Sequence, residues 1–134
     1  MPTISSKYLG ELRTEAQHLQ SGNTIVTDAP TDNNGRGEAF SPTDLVCAAL
    51  GSCMMTIMGI VARREGISLE GTRYETTKFM QSEPRKISKI EIAFTFPPLN
   101  LSDKHKAMLQ NAARTCPVAL SLDPNIVQDI SFTF

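Results

Sequence analysis

The stretch that most constrains this chain runs from Ser41 to Arg64. It opens as a helix should. Ser41 can accept a hydrogen bond from a free amide of the first turn, Pro42 fits the first helical position, and Asp44 completes a capping-box pattern. From Leu45 to Ala62 no residue is charged. Apolar or small residues lie on every face, not in one stripe, so the helix is expected to be surrounded by protein. At ~1.5 Å per residue it would run ~35 Å, the width of a small domain. A membrane span competes with this reading, because the uncharged run reaches the lower limit of roughly 18–20 residues. Against a span, the run is rich in Gly, Ala, Ser, Thr and Cys and poor in Leu and Phe, and the rest of the chain supplies strands that need a core.

A length of 134 residues suits one domain, 1–134, that can bury most of its apolar surface without a covalent staple. The net charge is −1 and the charges are scattered, which argues against a nucleic-acid partner. Met1 to Lys7 lacks the apolar segment of a signal peptide. Three cysteines are an odd number and too sparse for a disulfide scaffold, so a reducing cytoplasm is the expected location. A cysteine pair that closes there is more readily catalytic or regulatory than structural.

Along the chain, Leu12–Leu19 and Thr24–Thr27 read as strands joined by a Ser21-Gly22-Asn23 turn. Asp28–Gly37 is dense in turn formers and reads as a loop leading to the long helix. After Glu65-Gly66, Leu69–Met80 reads as a strand. Ile90, Ile92, Phe94 and Phe96 then give the clearest period-two signal in the chain. Ser102-Asp103 caps a second helix, on which Leu109, Ala112, Ala113 and Cys116 share a face. Pro117 disfavours helical geometry at Cys116. Ile130, Phe132 and Phe134 alternate in a last strand. The order predicts an α+β fold with antiparallel sheets around a long buried central helix.

Three readings compete for Cys53 and Cys116. They are small apolar core residues, metal ligands, or a redox pair in which one thiol attacks and the other resolves. There is no CxxC, and His18 and His105 are scattered, so neither a metal nor another cofactor is implied. Cys47, six residues before Cys53, lies elsewhere around the helix, cannot bridge to it, and is assigned to the core.

Pro42-Thr43-Asp44-Leu45-Val46-Cys47-Ala48-Ala49-Leu50-Gly51-Ser52-Cys53, followed far along by Cys116-Pro117-Val118, resembles the OsmC/Ohr family of thiol peroxidases. The likeness covers nearly the whole chain. It implies a homodimer intertwined around paired long helices, reduction of organic hydroperoxides, and an external dithiol as reductant. Cys53 would be the attacking thiol and Cys116 the resolving one, joined in an intramolecular disulfide. The family's arginine, counted back from Gly22, falls on Arg13, and Arg36 between Gly35 and Gly37 is the second candidate. Met54, Met55, Ile57 and Phe40 would line an apolar pocket.

One position departs from the family, which carries a glutamate where this chain has Thr43. Either Asp44 or Glu38 supplies the missing carboxylate, or the arginine is less well held. Asp44 is better explained by the capping box. Two alternatives to the enzyme follow: a non-catalytic relative binding a small apolar or electrophilic ligand, and a thiol redox sensor. His18 is expected to be a satisfied strand histidine and His105 to be solvated.

Overall fold

Six strands and three α-helices follow one another over residues 1–134, all of which the computed structural model describes. They divide into two compact units, Met1–Val46 and Cys47–Phe134. In the first, β1 (Ile4–Gly10), β2 (Arg13–His18) and β3 (Thr24–Asp28) form an antiparallel sheet in that order. The pairing of β2 with β3 across the Gly22 turn agrees with the sequence. β1 does not announce itself, because every residue before Gly10 is exposed and no buried face imposes an alternation. Asp28 belongs to β3, not to the loop that follows it.

Glu11 and Leu12 join β1 to β2 with φ of 53° and 60°. Positive φ at both central residues is the requirement of a type I′ hairpin turn, which favours Asn-Gly. Here the turn is pinned instead. The Leu12 amide donates to the Tyr8 hydroxyl at 3.1 Å, and the Leu12 carbonyl accepts from the Ala29 amide at 3.1 Å.

The long helix, α1, spans Pro42–Arg64. Its capping box is formed as read. The Asp44 amide donates to Ser41 Oγ at 3.1 Å, and Asp44 Oδ2 accepts from the Ser41 amide at 3.0 Å. Cys47, Leu50, Gly51, Met54, Met58 and Ala62 make its buried face, at spacings of three and four residues. A β-carbon at position 51 would come 3.0 Å from the Tyr74 ring, so glycine there lets the ring approach the helix. A single chain covers that face of the helix and not the opposite one. Within one chain Ala48, Ala49, Ser52, Thr56 and Ile60 are exposed. The helix is long and apolar enough to cross a membrane, but its buried face is packed as a core helix's is.

The second unit carries the sheet β4 (Arg73–Gln81), β5 (Lys86–Thr95) and β6 (Val127–Thr133). β4 and β5 are antiparallel, whereas β5 and β6 are parallel, so this sheet is mixed. Parallel neighbours need a crossover, and α2 (Asp103–Arg114) and α3 (Pro117–Ser121) provide it. Ile90, Ile92, Phe94 and Phe96 are buried as their alternation requires. Phe94 stacks on Phe132 with centroids 5.6 Å apart, and Phe96 on Phe134 at 4.7 Å. α2 lies over this face. Leu109, Ala112 and Ala113 are buried, and Arg114 and Lys106 sit over the Phe132 and Phe134 rings at 5.3 and 5.7 Å.

Glu11 is exposed yet held at positive φ. Glu11→Asn, which tolerates that conformation, is expected to raise stability by up to about 1 kcal/mol. The measure is a higher urea midpoint with an unchanged denaturant slope.

Candidate functional site

Cys53 falls on α1 between buried Leu50 and Met54 on one side and exposed Ser52 and Thr56 on the other, so its thiol is half-buried. Cys116 owes its position to a proline. α2 ends at Arg114, and Pro117 occupies the first position of α3, which leaves Cys116 extended at φ −67°, ψ 153°. Its sulfur caps α3, accepting the Ala119 amide at 3.4 Å, and the residue is fully buried.

The two thiols, distant in sequence, lie close enough for Cys53 to act on the ionisation of Cys116. Burial pushes the Cys116 thiol above its ordinary pKa, the Ala119 amide opposes that, and the neighbouring Cys53 thiol adds to the rise. The proton therefore stays on Cys116 at neutral pH. All three cysteines are free thiols, and Cys47 is buried on α1 as its place on the helix suggests.

The first unit holds the guanidinium. Arg13 and Asp28 stand directly opposite each other in the β2–β3 register. Arg13 Nε and Nη2 donate to Asp28 Oδ1 and Oδ2, each at 2.7 Å, in a two-point clamp. Nη2 also reaches Glu38 Oε2 at 3.3 Å. The Asp28 side chain is 0% exposed and that of Arg13 26%. The Arg13 hydrogen bond holds the Asp28 carboxyl below the ordinary carboxylate range against the opposing effect of burial. The Arg13 charge, the Glu38 backbone amide and the Arg36 charge also lower it. In return Asp28 raises the pKa of Arg13.

The carboxylate that pairs with Arg13 is chiefly Asp28, which the sequence reading passed over. Glu38 is a secondary partner with a side chain 65% exposed. Asp44 serves the helix cap, and Thr43 Oγ1 lies 3.2 Å from Ser41 Oγ. Arg36 is exposed and acts on Asp28 through its charge alone. Asp28 could have been found by counting outward from the Gly22 turn, since Gln17 pairs with Thr24 and each step back on β2 is a step forward on β3.

Of the proposed pocket residues, Met54 is fully buried in the core, Met55 and Ile57 are half-buried and Phe40 is exposed. His18 Nδ1 pairs with Ser21 Oγ at 2.6 Å. His105 is not simply solvated, because its Nε2 lies 3.4 Å from Glu65 Oε1. No three His, Cys, Asp or Glu side chains gather to hold a metal ion.

A family model described as OsmC-like protein matches residues 35–131. A Psychrobacter arcticus crystal structure, provisionally described as an osmotic stress induced and detoxification response protein, is 52% identical. Its TM-score is 0.95, covering 98% of this chain and 96% of that one. Two more distant structures share the fold. An organic hydroperoxide resistance protein OsmC from Legionella pneumophila is 21% identical, with a TM-score of 0.73 over 100% of this chain and 98% of that one. An organic hydroperoxide resistance protein from Elizabethkingia anophelis is 14% identical, with a TM-score of 0.75 over 99% and 96%. No curated protein matches the chain.

Two outcomes follow from the geometry. A carboxyl with a depressed folded-state pKa stabilises the fold above the ordinary carboxylate range, near pH 4, and that contribution is lost as pH falls through the folded value. Asp28→Asn should therefore lower the thermal midpoint at pH 7, with the gap to the parent protein shrinking below about pH 4. At pH 7, iodoacetamide should label Cys53 first, with Cys47 and Cys116 labelled only as fast as the protein opens. Mass spectrometry of timed samples reads the order, and equal labelling of Cys116 would contradict the burial described here.

Proposed function

We propose, on the premise that this chain belongs to the OsmC-like protein family, that it is a cysteine-based peroxidase acting on organic hydroperoxides. The observation that carries the reading is the meeting of Cys53 and Cys116, with the proton held on the buried partner. A redox pair needs one sulfur open to substrate and a second within bonding reach of it. A half-buried Cys53 and a fully buried Cys116 fit those two roles. The names of the Legionella and Elizabethkingia structures point to the same substrate class.

The chemistry runs in three steps. The Cys53 thiolate attacks the terminal oxygen of a hydroperoxide ROOH. The O–O bond breaks, ROH leaves after taking up a proton, and Cys53 becomes a sulfenic acid. The Cys116 sulfur then attacks the Cys53 sulfur, water leaves, and an intramolecular disulfide forms. An external dithiol reduces that disulfide by exchange, becoming oxidised itself and restoring both thiols. Arg13 is assigned the role of the permanent cation. A guanidinium favours the thiolate and can donate to the peroxide oxygens.

The same reading treats 1–134 as one OsmC-like domain that works as a homodimer in the cytoplasm. What supports a second copy is the exposed stripe Ala48, Ala49, Ser52, Thr56 and Ile60 on α1, a helix with no charge from Leu45 to Ala62. Ile4, Tyr8, Leu9 and Ile25 on the first sheet are also exposed.

Cumene hydroperoxide and a free-thiol count test the proposal. The protein should lose two thiols per chain rapidly and regain them with reduced lipoate. Cys53→Ser should abolish peroxide consumption, and Cys116→Ser should leave a Cys53 sulfenic acid that a dimedone probe traps. Thiols that survive the dose would favour a ligand-binding relative, and oxidation without turnover would favour a redox sensor.

A further inference from the structure

Asp28 is a fully buried carboxylate that the peroxidase chemistry above does not use. It is held from both sides. Its amide donates to the Phe40 carbonyl at 3.1 Å, and the next amide, Ala29, donates to the Leu12 carbonyl at 3.1 Å. Leu12 directly precedes Arg13, so the backbones of the two partners are tied at this end of the hairpin as well as by the β2–β3 ladder. The nearby Glu38 backbone amide favours the ionised carboxylate in addition to the guanidinium. Such a group has little freedom to turn, and whatever it binds takes its orientation.

What it binds is one edge of Arg13. Nε and Nη2 lie on the same side of the planar fork, and both are engaged at 2.7 Å. Nη2 spends its remaining proton toward Glu38. Nη1 has no hydrogen bond to protein, and the side chain is 26% exposed. The clamp therefore does more than neutralise the cation. It fixes the guanidinium plane and leaves Nη1 as the donor edge open to a ligand.

We propose that Asp28 is the positioning residue for Arg13, and that it presents Nη1 to an oxygen of the hydroperoxide. This rests on the peroxidase reading above. An amide at position 28 cannot replace the carboxylate, since it offers one acceptor and one donor where the fork needs two acceptors. The guanidinium would then be free to swing. A misplacement of about 1 Å at a reacting centre can cost on the order of a hundredfold in rate.

A double-mutant cycle on cumene hydroperoxide consumption tests it, using Asp28→Asn, Arg13→Ala and the pair. Asp28→Asn alone should lower kcat/KM roughly tenfold to a hundredfold. In the Arg13→Ala background it should change kcat/KM less than about twofold, because its effect passes through the guanidinium. Additive losses would overturn the proposal, as would an unchanged single variant. If Asp28→Asn does not fold, NMR of the unaltered protein decides. The Arg13 Nε proton should exchange with water at least about tenfold more slowly than that of exposed Arg36, as a buried bidentate clamp requires. Equal exchange would overturn the proposal. An unaltered protein that consumes no hydroperoxide would sink the peroxidase reading and this inference together. An active enzyme indifferent to Asp28 would sink this inference alone.

Discussion

A helix with no charged side chain from Leu45 to Ala62 offers water little, so most of its surroundings must be supplied by protein. In α1 the single chain covers one face with Cys47, Leu50, Met54, Met58 and Ala62 and leaves the opposite stripe open. The residues of that stripe are mostly small: Ala48, Ala49, Ser52 and Thr56, with Ile60 as the one large apolar side chain. Small residues permit close approach of another backbone, and a face of this kind costs little while uncovered. Cys53 sits at the seam between the two faces. A cysteine one position earlier would share the exposed face of Ser52, and one position later would share the core with Met54. Its reach both to buried Cys116 and toward solvent is a consequence of helical phase.

The second sulfur is placed by different physics. A helix that continued through Cys116 would occupy that thiol's neighbourhood with backbone of its own. Pro117 prevents this by disfavouring helical geometry at the preceding residue and then starting α3. The sulfur acquires a weak amide donor from Ala119 and a buried site at the same break. Burial outweighs the donor and keeps the proton on. Under the peroxidase reading, that balance keeps the second sulfur from competing for substrate while its partner lies close by.

Legibility in the sequence followed burial. The alternation of Ile90, Ile92, Phe94 and Phe96, the face of Leu109, Ala112, Ala113 and Cys116, and the Ser41–Asp44 cap all come from residues whose surroundings are local or fully apolar. They were readable for that reason. β1 was not readable, because a strand with no buried face carries no period. The parallel pairing of β6 with β5 was not readable either. Strand direction depends on the crossover through α2 and α3, and Ile130, Phe132 and Phe134 would alternate in either direction. The uncharged run of α1 shows that a helix must be covered and says nothing of which chain does it.

Asp28 shows the same limit at a single residue. An aspartate between a short strand and a run of Ala-Pro-Thr-Asp-Asn-Asn-Gly has the composition of a turn, and its partner lies across a hairpin whose register is visible only once the Gly22 turn is fixed. The placement has a physical consequence. A carboxylate carried on α1 would orient Arg13 only as well as the helix and the hairpin are held against each other. A carboxylate on β3 orients it through the β2–β3 ladder itself, within residues 1–46. The direction of the guanidinium is then a property of hairpin register. Any change that slips β3 against β2 by one residue would turn Asp28 to the opposite face of the sheet from Arg13, because side chains alternate with a period of two.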